Sequence, residues 1–172
     1  MRFDMVRIVL GVCLVTIGAG QARADHFAID LKVQAGKESK TAKTEMAALG
    51  VKEKKREVLH AKVGDRITVK WTMTNTHAKK AVKNVRVYFF AAKVDDIGLR
   101  RPDQKAIDKG AVVQNAFEMD FNPKDKTQGE LSFIINAAGS YQFRLETLGA
   151  ATGENEHEHF AALDVIIKGD EK

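Results

Sequence analysis

The densest group of potential ligands in this 172-residue sequence is Glu154-Asn155-Glu156-His157-Glu158-His159. Imidazole nitrogen ligates both Cu(II) and Zn(II). On an extended strand His157 and His159 share one face, with Cα atoms about 7 Å apart, while Glu156 and Glu158 take the other. The histidine face continues as Ala161, Leu163, Val165 and Ile167, so the pair sits at the mouth of an apolar stripe. His26 joins the pair if the strand it opens runs parallel to the last one, which brings the two strand beginnings together. The candidate metal site is therefore His157, His159 and His26, with Cu or Zn as the metal. The same run also reads as a polar hairpin end whose imidazoles cap backbone groups or pair with carboxylates, and then no cofactor is involved. His60 and His77 lie elsewhere and receive no role.

Other chemistry finds little to work with. The one cysteine, Cys13, falls in the apolar N-terminal run, so the exported form has no disulfide, thiolate ligand or cysteine nucleophile. No nucleophile-elbow or phosphate-loop motif occurs, and the expectation is a protein that is not an enzyme. Asp95-Asp96 matches no oxygen-ligand loop for calcium and reads as turn residues. Lys52-Glu53-Lys54-Lys55-Arg56 reads as a solvated face, because Glu53 interrupts it and no aromatic residues interleave to stack on bases. No nucleic-acid partner is expected; the partner is an unknown protein or envelope component.

The elements that position these residues begin with an address. Arg2 and Arg7, the apolar run 8–19 and Ala22-Arg23-Ala24 make a secretory signal peptide cleaved after Ala24. The run is too short to span a membrane, and Val12 before Cys13 disfavours lipid attachment. The expected organisation is a signal peptide over 1–24 and a single domain over 25–172, periplasmic or secreted, with no membrane span after cleavage. Cleavage removes three arginines and one aspartate, which takes the net charge from +5 to +3, ordinary for a soluble surface.

Period-2 alternation dominates the remainder. Phe27, Ile29, Leu31 and Val33 alternate with polar residues, and 57–63 resumes the alternation; after the Gly64-Asp65 turn, Ile67, Val69, Trp71 and Met73 continue it, and Val85, Val87 and Phe89 follow. These two strands lay a Trp71-centred stripe into one core. Phe117, Met119 and Phe121 mark a further strand, as do Leu131, Phe133 and Ile135, then Tyr141, Phe143 and Leu145, then 157–168. The segment 36–56 reads as a surface excursion with a short helix over 42–49, and 91–110 as a crossing connection. The pattern predicts an all-β, immunoglobulin-like antiparallel β-sandwich of seven to eight strands with a short helical or irregular insertion.

The Gly64-Asp65 turn, the Trp71 strand, the long crossing loop and Gly139-Ser140-Tyr141-Gln142-Phe143 together resemble bacterial immunoglobulin-like modules of exported proteins, over most of 57–168. The paired cysteines of antibody domains are missing, and position 137, where many such domains carry Asp, is Ala. The resemblance implies an exported, non-enzymatic binding or scaffolding module whose end loops carry specificity. The alternative is a periplasmic copper- or zinc-binding protein using the His-x-His pair at the start of the last strand. Some periplasmic copper carriers are similar in combining an N-terminal His with such a pair, although there the His is the first residue. Cupredoxins share the Gly-x-Tyr-x-Phe strand, but their copper needs a Cys thiolate that Arg144-Leu145-Glu146-Thr147-Leu148 does not supply.

Overall fold

The computed structural model describes residues 27–47, 55–98, 100–148 and 158–169, with ten strands and one short helix among them. In chain order these are β1 (Phe27–Ala35), β2 (Glu38–Lys43), β3 (Glu45–Ala47), β4 (Val58–Lys62), β5 (Arg66–Asn75), β6 (Val82–Val94), α1 (Gln104–Gly110), β7 (Ala111–Phe121), β8 (Lys126–Ile134), β9 (Gly139–Leu148) and β10 (Glu158–Lys168). Eight of the ten are the strands read from alternation. The other two, β2 and β3, lie where a helix over 42–49 was expected. That expectation fails over its described part because the Gly36-Lys37 turn, with Gly36 at φ 56°, folds the chain back onto β1 as a hairpin. Thr44 then bonds both the N–H and the C=O of Ile29 through its hydroxyl, so the backbone finds its partners in a sheet. The helix of the fold stands instead in the crossing connection, capped by the Asp103 side chain on Ala106 N–H.

The strands form two sheets, β2-β1-β5-β8 and β3-β10-β9-β6-β7, with β4 pairing β10. β1, β5 and β8 thus face β6, β9 and β10, the partition of an immunoglobulin-like sandwich. All pairings are antiparallel except that of β4 with β10. The strand parallel to the last is therefore β4, and β1 belongs to the opposite sheet. β5 and β6 likewise lie in different sheets, so their apolar faces meet across the core. Tyr141, opening β9, donates its hydroxyl to the carbonyl of Ala137 at 2.8 Å. This is the backbone bond of a tyrosine corner, which needs no particular side chain at position 137, and burial raises the Tyr141 pKa.

Apart from Trp71, the inward apolar side chains of β1, β5, β6, β9 and β10 are closed to water. Trp71 departs from the expectation of a buried indole: it faces inward but is only half-buried. The reason is its neighbour on the edge strand β8: Trp71 stands opposite Gly129, which has no side chain to cover it, whereas Ile67, Val69 and Met73 of the same strand are closed. Its ring stacks on Phe117 of the facing sheet, with centroids 5.6 Å apart, and lies over Gly129, where a Cβ would come within 2.4 Å of the indole. Gly129 is required by that contact. Gly129→Ala is expected to destabilise the fold by about 1–3 kcal/mol through overpacking, read as a lowered urea midpoint. Gly129→Ala combined with Trp71→Leu should recover part of the loss.

Candidate functional site

Of the three histidines expected to hold metal, His26 and His157 lie outside the described residues. His159 is the second residue of β10 and 2% exposed, its ring meeting Phe27 edge-on at 6.1 Å. Its backbone N–H donates to Thr147 Oγ1 at 3.2 Å. The beginnings of β1 and β10 therefore meet across the sandwich, as the metal reading requires, although the two strands are not paired. Among the described residues no group of three His, Cys, Asp or Glu side chains converges to hold a metal ion. His60 lies exposed in β4, and His77 donates its backbone N–H to Asn75 Oδ1 at 3.0 Å.

A second constellation, which alternation did not reveal, lies on the outer face of the six-stranded sheet. Asp164 of β10 is buried and pairs with Arg56, whose Nε lies 3.2 and 3.3 Å from its two oxygens; Gly98 N–H donates to Oδ2 at 2.8 Å. On β9, buried Glu146 accepts from Arg144 Nε at 2.6 Å and from Arg101 Nε at 2.8 Å. The Arg144 guanidinium also lies 3.6 Å from the centre of the Phe160 ring. Arg101 lies over Phe90 at 5.6 Å. Tyr88, Phe90 and Ala92 of β6 form a small core with Ile107 of α1. The segment between β6 and β7 is thus a cover, pinned to the sheet by charge-assisted hydrogen bonds and one apolar plug.

Read in sequence, Gln142, Arg144 and Glu146 look like the solvated face of β9. The available clue was that β6 and β10 are apolar on both faces, as in Tyr88-Phe89-Phe90-Ala91-Ala92 and Phe160-Ala161-Ala162-Leu163, the mark of a strand covered on both sides.

A third feature is the side of the sandwich where β7 and β8 end the two sheets. Every inward apolar residue there except Phe121 is half-exposed: Val113, Phe117, Met119, Leu131 and Phe133. The edges differ in guarding. β2 carries Glu38, Lys40 and Lys43, and β8 carries Lys126 and Glu130. Residues 111–117 of β7 have no charge, proline or glycine, and Val112 is 41% exposed. An unguarded edge of that kind is a template for another strand.

No protein-family model matches the chain, and no curated protein matches it in sequence at a significant level. Among solved structures it is similar to the soluble domain of PmoD from a Methylocystis species, at 9% identity and a TM-score of 0.48, over 81% of this chain and 90% of that one. It is similar also to a CARDB domain from Pyrococcus furiosus solved with di-metal ions, at 11% and 0.45, over 85% and 97%. A Niemann-Pick type C2 protein from the Japanese carpenter ant gives 16% and 0.36, over 73% and 89%. The fold assignment rests on the strand order of the chain itself.

The ionic cover makes a stability forecast. Glu146→Gln leaves two arginines on a neutral amide beneath it, and breaking a buried pair from one side costs about 3–5 kcal/mol. Urea unfolding should register that loss, and amide exchange should accelerate across 100–110.

Proposed function

We propose that this chain is an exported, non-enzymatic immunoglobulin-like module that works by binding an extended segment of a protein partner along the β7 edge. The observation that carries the reading is the uncharged edge of 111–117 beside a half-exposed apolar strip. A strand added there would satisfy the open backbone groups of β7 and present alternate side chains to Phe117, Met119 and Val113. β7 carries its own charges, Glu118 and Asp120, only past this stretch, and the charges of β2 and β8 leave no uncharged run as long, so 111–117 is the preferred length of edge. Selection of short peptides from a displayed random library tests this. Enriched sequences should alternate apolar and polar residues and lose binding to Val112→Lys/Ala116→Lys, which changes only the outer face of the strand. No enrichment, or equal binding by the variant, overturns the reading. A dimer of the wild type that dissolves in the variant would overturn it in favour of a second copy as the occupant.

A second reading is Cu(II) or Zn(II) binding by His157 and His159 with His26. It is supported by the contact between His159 and Phe27, the residue that follows His26. Calorimetry of the exported chain should then give one site, weakening as pH falls through about 6.5 because imidazole must be neutral to ligate. His26→Ala/His157→Ala leaves the buried His159 in place and should abolish the site. No heat from the wild type, or equal heat from the variant, rejects it.

A further inference from the structure

The cover between β6 and β7 leaves the sheet at Val94 and returns at Ala111, and its two ends touch. A Cβ on Gly110 would lie 3.0 Å from the carbonyl oxygen of Lys93, so the neck closes because that side chain is missing. Gly98 on Asp164, Arg101 on Glu146 and Ile107 in its small core hold the cover from beneath. They frame a groove of about 560 Å³ with Lys93, Asp95, Arg100 and Lys109 around an apolar wall that includes Val94 and Pro102.

The charges in this groove do not balance. Arg100 and Lys109 face one lining carboxylate, Asp95, and the other carboxylates of the cover are engaged locally. Asp96 accepts from Ile97 N–H at 2.7 Å, Asp103 from Ala106 N–H at 2.7 Å, and Asp108 from the Gln104 amide at 2.8 Å. Lys93 stands opposite the core residue Tyr141 in the sheet and sends its ammonium to Ala138 O at 3.2 Å, so it lines the groove without adding its charge to it. Arg100 and Lys109 have no carboxylate partner among the described residues.

We infer that this groove binds a small organic ester of phosphate or sulfate. A guanidinium offers a planar fork to a tetrahedral oxyanion, and the Lys109 ammonium adds charge beside it. The wall formed by Val94 and Pro102 takes the organic group. The cover is already anchored, so binding need not order it, and affinity is not lost to that entropy. Asp95 is the one unfavourable neighbour and sets the modest strength of the site.

The test titrates the whole exported chain with phenyl phosphate, phenyl sulfate and phenol, following backbone amide shifts. Saturable shifts at one site across 93–96 and 100–110 are expected with the esters and none with phenol. Tighter phenyl phosphate assigns a phosphate ester, and tighter phenyl sulfate a sulfate ester. Arg100→Ala/Lys109→Ala alters only exposed side chains, so its circular dichroism should match the wild type while affinity falls at least about 10-fold. Asp95→Asn should tighten binding, and raised salt should weaken it. Absence of saturable shifts, equal affinity of the double variant, or phenol binding as well as the esters would overturn the assignment.

Discussion

Two carboxylates shut away from water, Asp164 and Glu146, govern the architecture of the six-stranded sheet. A buried carboxylate is tolerable only with partners of opposite charge and satisfied hydrogen bonds. Here the partners come from outside the sheet or along it: Arg56 from the segment before β4, Arg101 and the Gly98 N–H from the cover, and Arg144 from the neighbouring position on β9. Satisfying the two acids therefore docks the long connection between β6 and β7. That docking in turn buries Phe90, Phe160 and Ala162 on a face that would otherwise meet water.

The molecule is asymmetric as a result. The six-stranded sheet is covered on both faces, and the outer face of the four-stranded sheet is polar, with Lys70 paired to Glu130 and Thr68 to Ser132. Across the sandwich the asymmetry repeats. Where β1 faces β10 the sheets close on Phe27 and His159; where β7 and β8 end them, Trp71 and Phe117 are half-exposed and bridge the gap by stacking. Aromatic stacking suits that position because it gives large contact area at a margin too thin for a full apolar core. The uncharged stretch of β7 and the groove that adjoins its beginning thus lie away from the strand beginnings that bring His159 to Phe27.

Much of this scaffold was legible from alternation. Eight strands were visible because a side chain entering the core every second residue leaves a period that no helix imitates. The Tyr141 corner was visible in its motif, and Ala137 still serves through its carbonyl. The helix over 42–49 misled because good helix formers such as Ala and Glu also sit in edge strands when a hairpin turn places them there; local propensity is weak against tertiary pairing. Trp71 misled for another reason: alternation tells which way a side chain points but not how deep the core is at that point. At the candidate metal site, Phe27 meets His159 across the sandwich and not through the parallel pairing expected of the first strand, which belongs to β4.

The sequence by itself determined the all-β class and the order of the main strands, because these depend on residue type and near-neighbour period. Only the tertiary structure decided which polar residues of β9 and β10 are interior, which stretch of sheet edge is unguarded, and that Arg100 and Lys109 line one groove. Arg56 and Asp164 are 108 positions apart. No local pattern links residues so distant; their pairing exists because the sheets bring the segments together and burial leaves each charge no other compensation.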